Sequence, residues 1–136
     1  MKQTLPAPEA NHCFVCGKSN PIGLKLTFRM DQEVCRSEFT PDHDHCGWSE
    51  TTHGGIIYSV LDDVMANWLF LKGLAAHTAR CQVRYRAPLP TGVMVVLEGR
   101  LISRRGRLAV LDGRMLRNDN AQLIAESEAS FLIEQP

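Results

Sequence analysis

The amino-acid sequence predicts an α+β domain in which one long helix lies across an antiparallel sheet. Two observations support this prediction: a single long stretch with helical periodicity, and short alternating runs on both sides of it. The order is two short strands, the helix and then four strands joined by hairpin-length links, which favours antiparallel pairing. At 136 residues the chain suits one domain with a continuous core.

The predicted strands take their bounds from alternation and from turn residues such as proline, glycine and asparagine. Residues 1–11 contain two prolines and no periodicity, which predicts a loose N-terminal arm ahead of an ordered, turn-rich loop. Strands are predicted at residues 24–30, 34–39, 78–88, 93–104, 107–117 and 123–133. The six strands should form one sheet around the helix.

The helix is predicted from an apolar pattern that begins at Ile57. Apolar residues recur at positions 57, 60, 61, 64, 65, 68 and 69, a face wide enough to cover a sheet. The pattern places Asp62 on the border of the buried face, and Asp63 nearly opposite it, toward solvent or a neighbouring subunit. An acid at the margin of a core is a candidate functional residue, whereas Asp63 is predicted to have no chemical role.

Two glycines, Gly54 and Gly55, stand at the predicted helix start. Unpaired backbone N–H groups at such a start, with no side chain in front of them, attract a carbonyl oxygen that becomes negative during a reaction. An acid two turns along the helix can act as base or nucleophile toward the same carbonyl carbon, if a partner strand or subunit completes the site. The alternative is that the glycines only permit a tight entry turn.

Composition and charge exclude several classes of protein. Fifteen basic and fifteen acidic residues cancel, so neither nucleic acid nor an anionic membrane is indicated as a partner. The N-terminal residues lack the apolar core of a signal peptide, and the longest apolar stretch is interrupted by acids. Five cysteines, an odd number, in a chain without an export signal predict a reduced, cytoplasmic protein.

The motif "HGGIIYSVLDD", with an aspartate nine residues after the histidine, resembles the signature of hotdog-fold thioesterases of the phenylacetate-pathway (PaaI-like) branch. The segments "CFVCGKSNPIGLKLTF", "CGWSETTHGG" and "VRYRAPLPTG" resemble other parts of that branch. The resemblance implies the hotdog fold, a six-stranded sheet wrapped around one helix. It further implies a homodimer, often a homotetramer, with sites at the dimer interface that hydrolyse acyl-coenzyme A (acyl-CoA) thioesters without a cofactor.

The resemblance also implies roles for individual residues. Asp62 matches the catalytic carboxylate, which normally faces the HGG segment of the other subunit. Gly54 matches the residue whose N–H polarises the thioester carbonyl, and Gly55 beside it is expected to contact the substrate. His53 matches the histidine that orients this segment. Thr78 falls where some members carry a serine that positions the attacking water.

One departure from the family pattern is Gly47, where several relatives have an asparagine. The polar contact of that asparagine is therefore absent or supplied elsewhere, which favours the alternative of a noncatalytic acyl-CoA-binding protein.

A second open question is the arginine cluster of Arg104, Arg105 and Arg107 in "SRRGR". It is either a solvated hairpin tip or a site that meets the phosphates of coenzyme A, since guanidinium groups bind phosphate well.

Cys13 and Cys16 form a CxxC pair that resembles half of a zinc site. The residues available to complete it are His43, His45 and Cys46, whose spacing is not typical of such sites. The readings left open are reduced structural thiols, a metal site or a redox pair, and a small zinc- or thiol-dependent module remains an alternative function. Because thioester hydrolysis by this fold needs no metal, no metal is predicted.

Overall fold

A computed structural model describes residues 10–135 of the chain. The strands are β1 (Arg29–Asp31), β2 (Val34–Phe39), β3 (Ala76–Tyr85), β4 (Val95–Arg105), β5 (Leu108–Arg117) and β6 (Leu123–Ile133), and the long helix is α1 (Gly54–Leu71). A short 3-10 helix covers His43–His45. The predicted N-terminal arm lies, except for its last two residues, outside the described residues.

All six strands pair antiparallel in one sheet of order β1-β2-β4-β5-β6-β3, and α1 packs against it. The buried face of α1 meets apolar side chains from the central strands. Among the fully buried core residues are Leu61, Met65, Leu69, Leu97, Leu111, Met115 and Phe131. The predicted α+β class, with one helix and a six-stranded antiparallel sheet, is confirmed.

The first predicted strand, residues 24–30, is wrong over most of its length, because β1 begins only at Arg29. The backbone before it pairs with the N-terminal loop: the Leu24 N–H donates to Phe14 O at 2.8 Å, and the Leu26 N–H to Val15 O at 2.9 Å. Lys25 between them has a φ of 57°, which interrupts an extended strand. Residues 24–26 therefore attach the N-terminal loop to the domain through backbone hydrogen bonds.

Two glycines of the sheet lie beneath the helix in places where a side chain would not fit. Gly99 of β4 and Gly113 of β5 lie directly opposite each other in the register. A Cβ on Gly99 would lie 2.5 Å from the backbone oxygen of Val64, and one on Gly113 would lie 2.6 Å from the Ser127 hydroxyl and 3.4 Å from Met65. Any side chain at Gly99 would push α1 away from the sheet. These two positions form a notch that fixes the height of the helix.

Strand β3 is the last strand of the sheet, and it pairs on one side only, with β6. Within residues 10–135 no strand pairs with its other edge. Most β3 side chains are exposed, and the strand is ten residues long. A long unpaired edge of this kind normally requires pairing or protection.

Among residues 10–135, no helix has both the length and the hydropathy needed to cross a membrane.

Candidate active site

Three side-chain hydrogen bonds join α1 to β3. The Tyr85 hydroxyl donates to Gly54 O at 2.8 Å, the Tyr58 hydroxyl to Cys81 O at 2.9 Å, and the Thr78 hydroxyl to Asp62 Oδ1 at 2.8 Å. Positions 54, 58 and 62 are spaced by four residues and so lie on one face of the helix. We call this contact the α1–β3 seam; its residues are Gly54, Tyr58, Asp62, Thr78, Cys81 and Tyr85.

Asp62 lies at one end of the α1–β3 seam and is half-buried. Its position on the border of the core is the one predicted, and the structure brings it together with Thr78, another of the predicted site residues. Burial raises the pKa of the Asp62 carboxyl above its usual range, and the hydrogen bond from Thr78 opposes that rise. The result is a carboxylate with one oxygen held in place by a hydroxyl.

The helix start lies at the other end of the seam and is capped by His53. The His53 Nδ1 accepts the Gly55 N–H at 2.8 Å, so the prediction of an unpaired N–H is wrong for Gly55. Sequence periodicity does not show that the preceding histidine folds back as an N-cap. The Gly54 N–H, in contrast, donates to no other residue in the described part of the chain. One donor at this helix start is therefore available to a ligand.

Tyr85 is a site residue that the sequence analysis did not identify. Besides its bond to the Gly54 carbonyl, its ring lies about 3.6 Å from where a Gly54 Cβ would be. The two residues also line a cavity of about 290 Å³, together with Thr52, Ile57 and residues 86–89. Tyr85 stands within a segment that carries the family resemblance, but its contact across the fold to Gly54 depends on how β3 lies along α1. No local signal in the sequence gives that placement.

Asp62 and Gly54 of the same chain do not converge on one point. They are eight positions apart on α1, which at 1.5 Å per residue separates their backbones by about 12 Å along the axis. A carbonyl group is only about 1.2 Å long, so both cannot contact the same one. Within a single chain the two halves of the predicted site remain apart.

Residues 50–124 match the family model of the thioesterase superfamily, which covers more than half of the chain. The chain belongs to the thioesterase superfamily. A search of curated proteins finds no sequence match. Known structures nevertheless share its hotdog fold, as the motifs suggested.

A thioesterase superfamily protein aligns over 96% of this chain and 70% of its own, with a TM-score of 0.85 and 24% identity. The PaaI protein from the phenylacetic acid degradation operon of E. coli aligns over 80% of this chain and 83% of its own, with a TM-score of 0.74 and 18% identity. A hypothetical thioesterase from Streptococcus pneumoniae, solved with coenzyme A, aligns over 80% of this chain and 85% of its own, with a TM-score of 0.75 and 11% identity. The predicted resemblance to PaaI-like hotdog proteins is confirmed.

In this thioesterase-superfamily chain the three arginines of the predicted cluster do lie at a hairpin end and are exposed. Arg104 and Arg105 end β4, and Arg107 is in the turn that leads to β5. The Arg104 Nε donates to Gly106 O at 3.1 Å, and the Arg107 Nε donates to Ile133 O at 2.8 Å. Because β6 ends beside the start of β3, this hairpin lies at the same end of the sheet as the Asp62 end of the seam.

Gly47 packs directly against the histidine of the helix start. A Cβ at this position would lie 3.4 Å from His53 Cα and 3.6 Å from its ring carbon Cδ2. The loop between the two residues is closed by the Gly47 N–H, which donates to Thr51 O at 2.7 Å. A longer side chain at position 47 would therefore lie beside the His53 ring, and this chain has none there.

Asp63 does not face solvent or open surface, so the prediction of its direction is wrong. Its carboxyl is half-buried beneath the N-terminal loop, near the thiols of Cys13 and Cys16. Asn67 Nδ2 donates to Asp63 Oδ2 at 3.0 Å. Burial raises the pKa of the Asp63 carboxyl to about 6. The helical pattern could not reveal this, because the covering loop has no periodicity of its own.

The grouping of cysteines and histidines suggested by the sequence is also wrong. In the described residues, Cys13 and Cys16 come together with Asp63. A separate cluster contains His43, Cys46 and Glu50, and His45 belongs to neither. Residues 10–135 therefore contain two groups of potential metal ligands, on different parts of the domain.

Proposed function

We propose that the protein hydrolyses acyl-CoA thioesters at a site shared by two chains. The Gly54 N–H of one chain faces the thioester carbonyl oxygen, and Asp62 of a second chain faces the carbonyl carbon. The observation that carries the proposal is the half-buried Asp62 carboxylate, held by Thr78 at 2.8 Å along the open edge strand. A carboxylate in that setting is oriented for attack or for general-base work.

The pneumococcal thioesterase supports the choice of residues. Structures have been solved for variants of that protein in which one aspartate and one threonine, sixteen positions apart, are each replaced by alanine. Asp62 and Thr78 have the same separation of sixteen residues. The coenzyme A in that relative, and the acetyl-CoA in a Streptococcus mutans relative, support an acyl-CoA ligand.

The chemistry follows from the two ends of the seam. The Gly54 N–H, at the positive end of α1, stabilises the negative charge that develops on the carbonyl oxygen. Asp62 either removes a proton from a water molecule or attacks the carbonyl carbon itself. The carbon–sulfur bond then breaks, and coenzyme A leaves as its thiol after taking up a proton. If water was the nucleophile, the free acid is formed at this step. If Asp62 was the nucleophile, an acyl–Asp62 anhydride is left, and water hydrolyses it to the free acid and the restored carboxylate. Tyr85 holds the first turn of α1 against β3 and so fixes the direction of the Gly54 N–H.

A dimer formed through the open edge of β3 explains why the two groups lie about 12 Å apart in one chain. Tyr58 lies midway between Gly54 and Asp62 on the helix. A two-fold axis near Tyr58 brings Gly54 of each chain toward Asp62 of the other, since such an axis exchanges the two ends of the seam. The dimer then has two equivalent sites and no unpaired β3 edge.

Arg104, Arg105 and Arg107 are proposed to contact the phosphates of coenzyme A. They are exposed, carry no ion pair with an acid among residues 10–135, and lie at the Asp62 end of the sheet. Replacing all three by glutamine should raise KM for acyl-CoA while kcat stays close to that of the wild type. An unchanged KM would mean that the hairpin is only a solvated turn.

The first experiment is to measure thiol release from a panel of acyl-CoA substrates, aromatic and aliphatic. The second tests the shared site by mixing two inactive variants, Asp62→Asn and Gly54→Val, under conditions that exchange subunits. Random pairing makes half of the dimers mixed, each with one intact site, so activity should return to about a quarter of the wild-type value. No recovery from two folded, dimeric variants would contradict a site shared between chains.

A noncatalytic acyl-CoA-binding protein is the second candidate, and Gly47 favours it. Position 47 abuts His53 yet offers no polar side chain to the site. This candidate predicts that acyl-CoA binds to the wild-type protein without release of the thiol. Thiol release that Asp62→Asn abolishes would exclude it.

A further inference from the structure

Cys13, Cys16 and Asp63 form a compact cluster away from the α1–β3 seam. Their two Sγ atoms and a carboxylate oxygen all lie within 4.8 Å of one another. Two of the residues come from the N-terminal loop and the third from α1, so the cluster joins segments that are far apart in the sequence. All three side chains are partly buried.

The turn that carries the two cysteines is closed by backbone hydrogen bonds to the sulfur and to the carbonyl oxygen of Cys13. The Cys16 N–H donates to Cys13 Sγ at 3.3 Å, and the Gly17 N–H donates to Cys13 O at 2.8 Å. A Cβ on Gly17 would lie 2.3 Å from Cys13 N and 2.5 Å from Asn11 O, so only glycine fits there. The backbone N–H aimed at the Cys13 sulfur positions that sulfur as an outer hydrogen bond positions a metal ligand.

Asp63 brings a negative charge to this cluster, and no basic side chain among residues 10–135 forms an ion pair with it. The groups that act on its carboxyl are the Cys16 thiol, the Asp62 carboxyl and the Asn67 amide. Buried charges are normally paired or coordinated to a metal. The Asn67 amide holds one carboxylate oxygen at 3.0 Å, which is how an outer hydrogen bond orients a metal-binding carboxylate.

We propose that Cys13, Cys16 and Asp63 bind one divalent metal ion of the zinc class, with a water molecule as the fourth ligand. Two thiolates and one carboxylate suit zinc, whose bonds of about 2.0–2.3 Å would require the three ligand atoms to approach one another by at most roughly 1 Å. On binding, the two thiols lose their protons to solvent, and the ion replaces them. The site has no oxidation or reduction step.

The ion fastens the N-terminal loop to the helix that carries Asp62. The loop otherwise reaches the domain through backbone bonds to residues 24 and 26 and through the side-chain bonds of Lys18 and Lys25. Val15 of the loop is also buried in the core. The role of the metal ion is structural, because Asp63 lies on a different flank of α1 from the α1–β3 seam. This inference does not depend on the proposed activity.

The test uses the full chain, reduced and freed of metal by a chelator, then titrated with Co²⁺ and afterwards with Zn²⁺. We expect one equivalent of Co²⁺ to produce a thiolate-to-cobalt absorption band in the near ultraviolet, which Zn²⁺ removes. Zn²⁺ should also raise the Tm, as any ligand specific to the folded state does. The band should disappear in Cys13→Ser and Cys16→Ser, and Asp63→Asn should weaken the affinity while sulfur ligation persists.

Cys46→Ser is the matched control, because Cys46 belongs to the other cluster, and it should bind metal as the wild type does. The proposal fails if the wild type gives no cobalt band, or if Cys46→Ser removes the band. It also fails if Asp63→Asn binds Co²⁺ as tightly as the wild type. A loss of two hydrogens by mass spectrometry, with no metal uptake by the reduced protein, would instead identify a Cys13–Cys16 redox pair.

Discussion

The two flanks of α1 carry neighbouring acids in different surroundings. Asp62 faces the open edge strand and accepts a hydrogen bond from Thr78, whereas Asp63 lies under the N-terminal loop beside Cys13 and Cys16. Successive residues on a helix are about 100° apart, so adjacent side chains meet different elements of the fold. One flank is therefore equipped to meet a substrate and the other to bind the chain's own loop. The predictions below test this separation.

The largest effect is expected for Asp62→Asn. Loss of the carboxylate should reduce turnover by roughly 10²–10⁴, the contribution typical of a positioned acid or base, while fold and oligomer persist. Asp63→Asn is the matched control and should leave turnover nearly unchanged. Thiol release by the two purified variants, with circular dichroism and sedimentation as checks, gives the comparison. Equal losses would show that the two flanks do not have separate roles.

Gly54→Val should have the next largest effect. A Cβ at this position would sit about 3.6 Å from Tyr85, an ordinary contact, but the two further methyl groups of valine crowd the donor and the ring. Loss of one oxyanion donor reduces turnover by roughly 10²–10³. Gly54→Ala, which fits, is the control and should retain more activity. A folded Gly54→Val dimer with near-normal turnover would exclude this helix start as the oxyanion site.

Thr78→Val removes the hydroxyl that holds Asp62 while keeping the shape of the side chain. The lost hydrogen bond to a charged group contributes about 1.5 kcal/mol, or roughly tenfold in turnover. Thr78→Ser keeps the hydroxyl and should stay within a few-fold of the wild type. Kinetics on both variants test whether Thr78 orients the carboxylate. Equal activities of Thr78→Val and Thr78→Ser would refute that role.

Tyr85→Phe should reduce turnover less than the changes at Asp62, Gly54 and Thr78. Its hydroxyl binds a backbone carbonyl at an exposed position, so its loss should change turnover by about 1 kcal/mol or less, roughly fivefold at most. Tyr58→Phe removes a similar bond at the middle of the seam, away from both ends. Tyr85→Phe should therefore be the slower enzyme of the two, and the reverse order would contradict the role given to Tyr85.

The sequence predicted those features that depend on local periodicity. The helix start at Gly54, the strand Val34–Phe39 and the final strand Leu123–Ile133 are found where alternation and spacing placed them. Asp62 and Thr78 were found through resemblance to a family motif. The hydrogen bond between their side chains is consistent with the roles that the resemblance implies.

Features set by contacts between distant segments were not predictable in the same way. The loop that covers Asp63, the hydroxyl of Tyr85 on Gly54 and the capping of Gly55 all depend on how separate elements pack. In each case the sequence around the residues involved has no hydrophobic or turn pattern that indicates the contact. The sequence reports which face of an element is apolar, but it does not report which polar neighbour that element will meet.

The notch at Gly99 and Gly113 has a consequence for attempts to redesign substrate preference. Because the Val64 carbonyl of α1 lies against Gly99, the helix cannot move closer to the sheet, and a side chain at Gly99 would disturb the core instead of making room for a larger acyl group. A library that seeks a wider pocket should hold both glycines fixed and vary the β3 side of the cavity near Tyr85. Gly99 and Gly113 therefore limit such redesign to positions away from the contact between α1 and the sheet.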